Sequence, residues 1–162
     1  MIMKTLRKLI DKLGKEKLTL ACAESASGGY VSYLLTKIPG SSRIFRGSIV
    51  VYSLEAKTKF FKIPPAILRQ TQGVSRKITS LLARRVKNIL NTDVGAALTG
   101  FAGPAGKNVG QVFLSVSYRN KTSVKKVMIK GSRDKVRKEA SMILIEMIYN
   151  QVGAGHARPV KK

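Results

Sequence analysis

Residues 21–35 of the chain read ACAESASGGYVSYLL. Ala21, Cys22 and Ala23 end an apolar run that breaks on Glu24. Small polar residues follow, then Gly28 and Gly29. Apolar positions return at Val31, Leu34, Leu35 and Ile38, the spacing of one helix face. A short buried strand, a tight glycine turn and an amphipathic helix, in that order, open an α/β layer structure. The junction also carries chemistry. N–H groups at a helix start have no intrahelical partner, and small residues let a ligand approach them. With the hydroxyls of Ser25 and Ser27, the turn offers a seat for a phosphate or carboxylate; the plainer reading is a well-capped turn.

Outward from this stretch the same alternation continues. Residues 3–13 read as a helix with Leu6, Leu9, Ile10 and Leu13 on one stripe, stopped at Gly14. KLTLACA, 17–23, is the strand before the glycine turn, and helical spacing covers 27–37. PGSS, 39–42, is a turn, and GSIVVYS, 47–53, is a β-branched strand. LEAKTKFF is helical or irregular, and 63–73 is a short helix entered through proline. Ser75 caps a long helix that reaches Leu90. VGAALTG, 94–100, is a strand, and 101–110 a glycine-rich loop. Residues 111–119 and 123–131 pair as a hairpin around Asn120 and Lys121, and Ser132 opens a last helix. The expected fold is an α/β three-layer α/β/α sandwich with a mixed sheet. Sites in such sheets gather at strand carboxyl ends, which selects the segments 23–29, 53–57 and 99–106.

Composition bounds the function. The 162 residues suit one domain, and 44% apolar residues suit a packed core. Residues 1–150 are expected to form that domain and 151–162 a flexible basic tail, where His156 lies. No stretch approaches 18 uninterrupted apolar residues, so no membrane span is expected. The charged start is unlike a secretory signal, and a cytoplasmic protein is the default. Lys and Arg total 31 against 8 acidic residues, a net charge of +23. That favours polyanions, yet the basic residues are scattered and aromatic residues make up only 6%. Weak, sequence-indifferent binding of nucleic acid, reduced by salt, is the most that this pattern supports.

With one cysteine and one tail histidine the usual nucleophilic triads are poorly supported, and Cys22 reads as core. Serine with lysine is the remaining nucleophile chemistry, since a buried lysine can lose enough basicity to act as a base. Lys57, after the strand ending at Ser53, is the attractive one.

The stretch LACAESASGGYVSYLLTKIPGSSRIFRGSIVVYSLEAK resembles the C-terminal domain family of the competence-damage-inducible protein CinA. TGFAGP at 99–104, NVGQV at 108–112 and GSRDKVR at 131–137 stand, in order, where that family has its later motifs. The resemblance runs from about residue 5 to 149. It implies a compact domain that hydrolyses the carboxamide of nicotinamide mononucleotide to nicotinic acid mononucleotide and ammonia. It implies metal-free Ser/Lys amidohydrolase chemistry without a cofactor, and a homo-oligomer. Carried over by position, Ser42 is the nucleophile, Lys57 its base and Tyr52 the residue that orients them. Ser25, Ser27, Gly28, Gly29, Gly103, Arg133 and Arg137 fall on the substrate side, with Arg133 the partner of the phosphate. The order of the two serines stays open, because Ser25 at a helix start also suits a nucleophile.

Two departures stand out. Leu54 replaces a usual asparagine, and the 101–110 loop is short and lacks the usual acidic residue. The larger amino-terminal domain of fused members has no counterpart, so the stand-alone form is expected. The competing class is a catalytically weakened domain of this type acting as a basic nucleic-acid-associated or scaffold protein. In the last helix Ile143 and Ile148 widen the apolar face beyond one core stripe, which reads either as an oligomer contact or as a fully internal face.

Overall fold

A computed structural model describes residues 2–154. The elements run α1 (Ile2–Lys15), β1 (Leu20–Glu24), α2 (Tyr30–Thr36), a single 3-10 turn (Ser41–Arg43), β2 (Phe45–Val50), α3 (Leu54–Phe61), α4 (Pro65–Thr71) and α5 (Arg76–Ile89). Then come β3 (Val94–Gly100), β4 (Gln111–Tyr118), β5 (Lys121–Met128) and α6 (Arg133–Ala154). The five strands form one sheet in the order β2-β1-β3-β4-β5. β1 is parallel to both β2 and β3, whereas β3, β4 and β5 are antiparallel. The sheet is therefore mixed, as the alternation followed by a hairpin predicts.

Strand alternation divides the core. Leu20 and Cys22 face α1, α2 and α6, in a layer holding Leu6, Leu9, Val31, Leu35, Leu144 and Ile148. Ala21 and Ala23 face α3, α4 and α5, with Phe61, Leu68, Ile78 and Leu82. Helices on both faces make three layers. Ser75 caps α5 by accepting from the Ile78 N–H at 3.1 Å, as its position before the apolar stripe predicts. No described helix is long and apolar enough to cross a membrane.

The boundaries differ from the sequence reading where side chains intervene. β1 extends to Glu24, and α2 starts three residues later than expected, for reasons that belong to the site. The β4–β5 hairpin turns one residue earlier, with Arg119 in the left-handed region, and Tyr118 faces Lys121. β5 is an edge strand, and Lys121, Lys125 and Lys126 on it are exposed, a common guard against edge-to-edge pairing. α6 runs on to Ala154, into the stretch expected to be tail, because Val152 is fully buried. Residues 155–162, with His156, lie outside the described residues. Ile148 is also fully buried, and Ile143 packs partly buried against the same core. Ile148 thus belongs to the internal core, while Ile143 and Met147 stay partly buried on the same helix.

Candidate active site

The carboxyl ends of β1, β2 and β3 meet the loops 51–53 and 101–105 around a cavity of about 280 Å³. Ser25, Ala26, Tyr52, Lys57, Gly103 and Arg133 are among its lining residues. Ser25 follows β1 directly. Its N–H donates to the Leu98 carbonyl on β3 at 3.2 Å, and its own carbonyl accepts from Gly28 N–H at 3.1 Å. The residue is 6% exposed and held by backbone on both sides.

Lys57 reaches Ser25 from α3. Ser53 caps that helix by accepting from the Ala56 N–H at 3.1 Å, which places Lys57 one turn in, on the buried face. The Lys57 ammonium donates to Ser25 Oγ at 3.0 Å and to the Val51 carbonyl at 3.0 Å. Only 2% of the residue is exposed, and burial pushes its pKa down to about 8. Among the described residues no carboxylate pairs with this charge, so the amine sits where losing a proton is cheap. Its stem lies against Gly73, where an added Cβ would come within 3.4 Å of Lys57 Cδ and Cε.

Ser42 lies elsewhere. It is exposed, in the 3-10 turn that precedes β2, whereas Lys57 bonds to Val51, just past the end of β2. The six residues of β2 separate them by roughly 20 Å, at about 3.3 Å per residue. The turn entering a strand and the loop leaving it lie at opposite ends of a sheet. The serine brought to Lys57 is Ser25.

Tyr52 bonds neither Ser25 nor Lys57 among the described residues, although it lines the same cavity. It is 61% exposed, and its hydroxyl accepts from the Arg133 guanidinium. Arg133 also donates to the Gly103 carbonyl at 2.6 Å, so its fork spans the two loops at the cavity rim. Arg133, Tyr52 and Gly103 therefore form one cluster, contributed by three separate segments.

Ser27, Gly28, Gly29 and Arg137 are not among the cavity's lining residues. The reason is Glu24, a residue with no assigned role at the sequence level. Its carboxylate is fully buried and accepts from Ser27 Oγ at 2.7 Å, Val31 N–H at 3.0 Å and Ser32 N–H at 2.9 Å. The hydroxyls of Ser32 and Ser48 donate to it as well, at 2.6 and 3.1 Å. The free N–H groups at the start of α2, read as a seat for a ligand anion, are thus filled by the chain's own carboxylate. This also explains the late start of α2: residues 25–29 wrap around Glu24, with Gly28 and Gly29 at φ +58° and +96°, where a side chain would be strained. Arg137 braces the same turn, donating to the Ser27 carbonyl through Nε at 3.2 Å and Nη2 at 2.9 Å. An acidic residue ending an apolar strand next to small hydroxyl residues was the available signal for this knot.

Leu54 does not line the cavity. It packs in the α3–α5 layer, close over Gly73. The short loop does contribute, through Phe101, Ala102, Gly103 and Ala105. Cys22 is buried in the core, and burial, with Glu24 nearby, pushes its thiol pKa well up, as expected of an inert cysteine.

Comparison with known proteins gives the family and the fold. Residues 3–152 match the model of the CinA C-terminal domain. A CinA-like protein of Myxococcus xanthus is 35% identical over 156 residues, which cover 93% of this chain and 37% of that one. The chain thus spans little more than a third of the length of such relatives. A competence or damage-inducible protein from Enterobacter asburiae has a crystal structure that superposes with a TM-score of 0.89 at 25% identity, covering 94% of this chain and 98% of that one. The competence/damage inducible protein CihA from Agrobacterium tumefaciens gives 0.88 at 26% identity, covering 94% and 95%.

Proposed function

The chain belongs to the CinA C-terminal domain family, and from that premise we propose that it hydrolyses the carboxamide of nicotinamide mononucleotide, with Ser25 as nucleophile and Lys57 as its base. The observation that carries this reading is the 3.0 Å approach of the buried Lys57 amine to Ser25 Oγ on the cavity wall.

With a pKa of about 8, roughly a tenth of Lys57 is neutral at pH 7. In that form the hydrogen bond reverses, and Ser25 O–H donates to Nζ. Attack then forms the Oγ–carbon bond as the serine proton passes to Lys57. Collapse of the tetrahedral intermediate breaks the carbon–nitrogen bond, and Lys57 returns the proton to the leaving nitrogen as ammonia forms. Water, deprotonated by the same amine, cleaves the resulting ester to nicotinic acid mononucleotide and restores Ser25. The N–H of Ala26 has no acceptor among the described residues and comes directly after the nucleophile, so it is the donor assigned to the oxyanion.

Arg133 is the assigned partner of the substrate phosphate. Its guanidinium is held at the rim by Gly103 and Tyr52 and retains donors for two oxygens. Tyr52 therefore acts by fixing Arg133 and not by orienting Lys57. The cavity is close to the lower bound of roughly 300 Å³ for small-molecule sites, a scale suited to a pyridine ring with the ribose phosphate at the mouth. The intact Lys57–Ser25 pairing favours an enzyme over a weakened scaffold. Ammonia release from the mononucleotide tests the reading, with Ser25→Ala and Lys57→Ala expected to abolish it.

A further inference from the structure

A second cavity, of about 510 Å³, opens at the other end of the parallel strands. Two separate segments line it: the end of α1 with the turn into β1, and the 3-10 turn with the start of β2. The Leu20 N–H donates to the Ile44 carbonyl at 2.7 Å and stitches them together. Lys15 and Lys17 come from the first segment, Arg43 and Arg46 from the second. Among the lining residues Asp11 is the single carboxylate, while Ile10, Leu18 and Ile44 add apolar surface.

None of the four basic side chains makes a hydrogen bond or ion pair with another described residue. The α1 dipole accounts for Lys15, which lies in the last turn where a cation is favoured. It does not account for the other three. Arg43 folds back across Gly40: a Cβ there would lie 2.9 Å from Arg43 Nη2, so the glycine (φ +86°) makes room for the guanidinium at the cavity. Four cations around one cavity lined by a single carboxylate leave an excess of like charge, and a multivalent anion relieves their repulsion. The site is concave and within the volume range of small-molecule pockets, a shape for a compact ligand and not for the convex backbone of a duplex.

We infer that this cavity is a binding site for a small molecule bearing several phosphate charges, seated between Arg43 and Arg46 on one side and Lys15 and Lys17 on the other. It is separate from the Ser25–Lys57 cavity and does not depend on the function proposed there. Titration calorimetry of the full chain with inorganic tripolyphosphate at about physiological salt tests it. The expected result is one site per chain, weakened about tenfold or more in Arg43→Ala/Arg46→Ala. Both arginines are exposed, and an unchanged circular dichroism melt confirms that the variant folds. Lys77→Ala/Arg84→Ala removes the same charge from α5 and is expected to leave the affinity within about twofold. Absent binding, or equal weakening in both double variants, overturns the inference. So does site-dependent binding of a short oligonucleotide without binding of tripolyphosphate.

Discussion

Glu24 Oε2 accepts from Ser27 Oγ at 2.7 Å, and through that bond a buried carboxylate shapes the turn that carries Ser25. Five donors converge on the two oxygens of Glu24. Glu24→Ala leaves those donors buried without an acceptor, and the expected cost is about 3 kcal/mol or more in a urea melt. Glu24→Gln turns an NH2 group toward N–H and O–H donors, so an isosteric change is also expected to destabilise, by about 2 kcal/mol. An unchanged melt for both variants would show that the knot is not structural.

Burial of the Lys57 charge opposes stability. Its folded pKa, about 8, lies below the unfolded value of about 10.4. The penalty for burying its charge is therefore complete below about pH 8 and is relieved as pH rises from there toward about 10.4. Lys57→Met should raise stability at pH 7 by about 1–2 kcal/mol while abolishing activity. The stability gap between the two proteins should narrow above pH 8. Denaturant melts at pH 7 and pH 9.5 read this directly.

In the proposed mechanism the same group sets the pH profile of the reaction. With neutral Lys57 as the proposed base, kcat/KM for the free enzyme is expected to rise about tenfold per unit below pH 8 and level off above it. A profile flat from pH 6 to 9 would remove Lys57 from the proton transfer.

Arg133 and Arg137 stand one helical turn apart and are expected to behave differently. Arg133 lies at the rim, and Arg133→Ala should raise KM for the mononucleotide about tenfold or more. The same change should leave the rate on the phosphate-free riboside near that of the parent protein. Arg137 bonds the Ser27 carbonyl behind the turn, so Arg137→Ala should lower kcat with little effect on KM and cost about 1–2 kcal/mol of stability. A shared KM defect in both variants would place Arg137 at the substrate as well.

How far the sequence led is clearest at the two serines. The layers were legible because apolar spacing changes cleanly between strand and helix, and Ser75 stands where a cap must. Lys57 was legible as the lysine after a strand. Ser42 was assigned by its place in a motif, although it precedes β2 and so belongs to the opposite end of the sheet from Lys57. The rule that sites gather at strand carboxyl ends already favoured Ser25. Glu24 was hidden for a different reason. A carboxylate beside serines and glycines reads as a surface turn, and only the folded chain shows five donors closing on it. The N–H groups at the α2 start do meet a carboxylate, but it is the chain's own Glu24 and not the ligand anion that the sequence reading expects there. The cations around the second cavity lie on segments more than twenty residues apart, so no local pattern marks them.

Ammonia release from nicotinamide mononucleotide by the purified chain, measured beside Ser25→Ala, Lys57→Ala and Ser42→Ala, tests the central claim most directly. The account predicts turnover by the parent protein and by Ser42→Ala within about twofold of each other. It predicts a loss of about a thousandfold or more in Ser25→Ala and Lys57→Ala, with their folds retained. No release by the parent protein at micromolar concentration, or activity that survives in Ser25→Ala and is lost in Ser42→Ala, would contradict it.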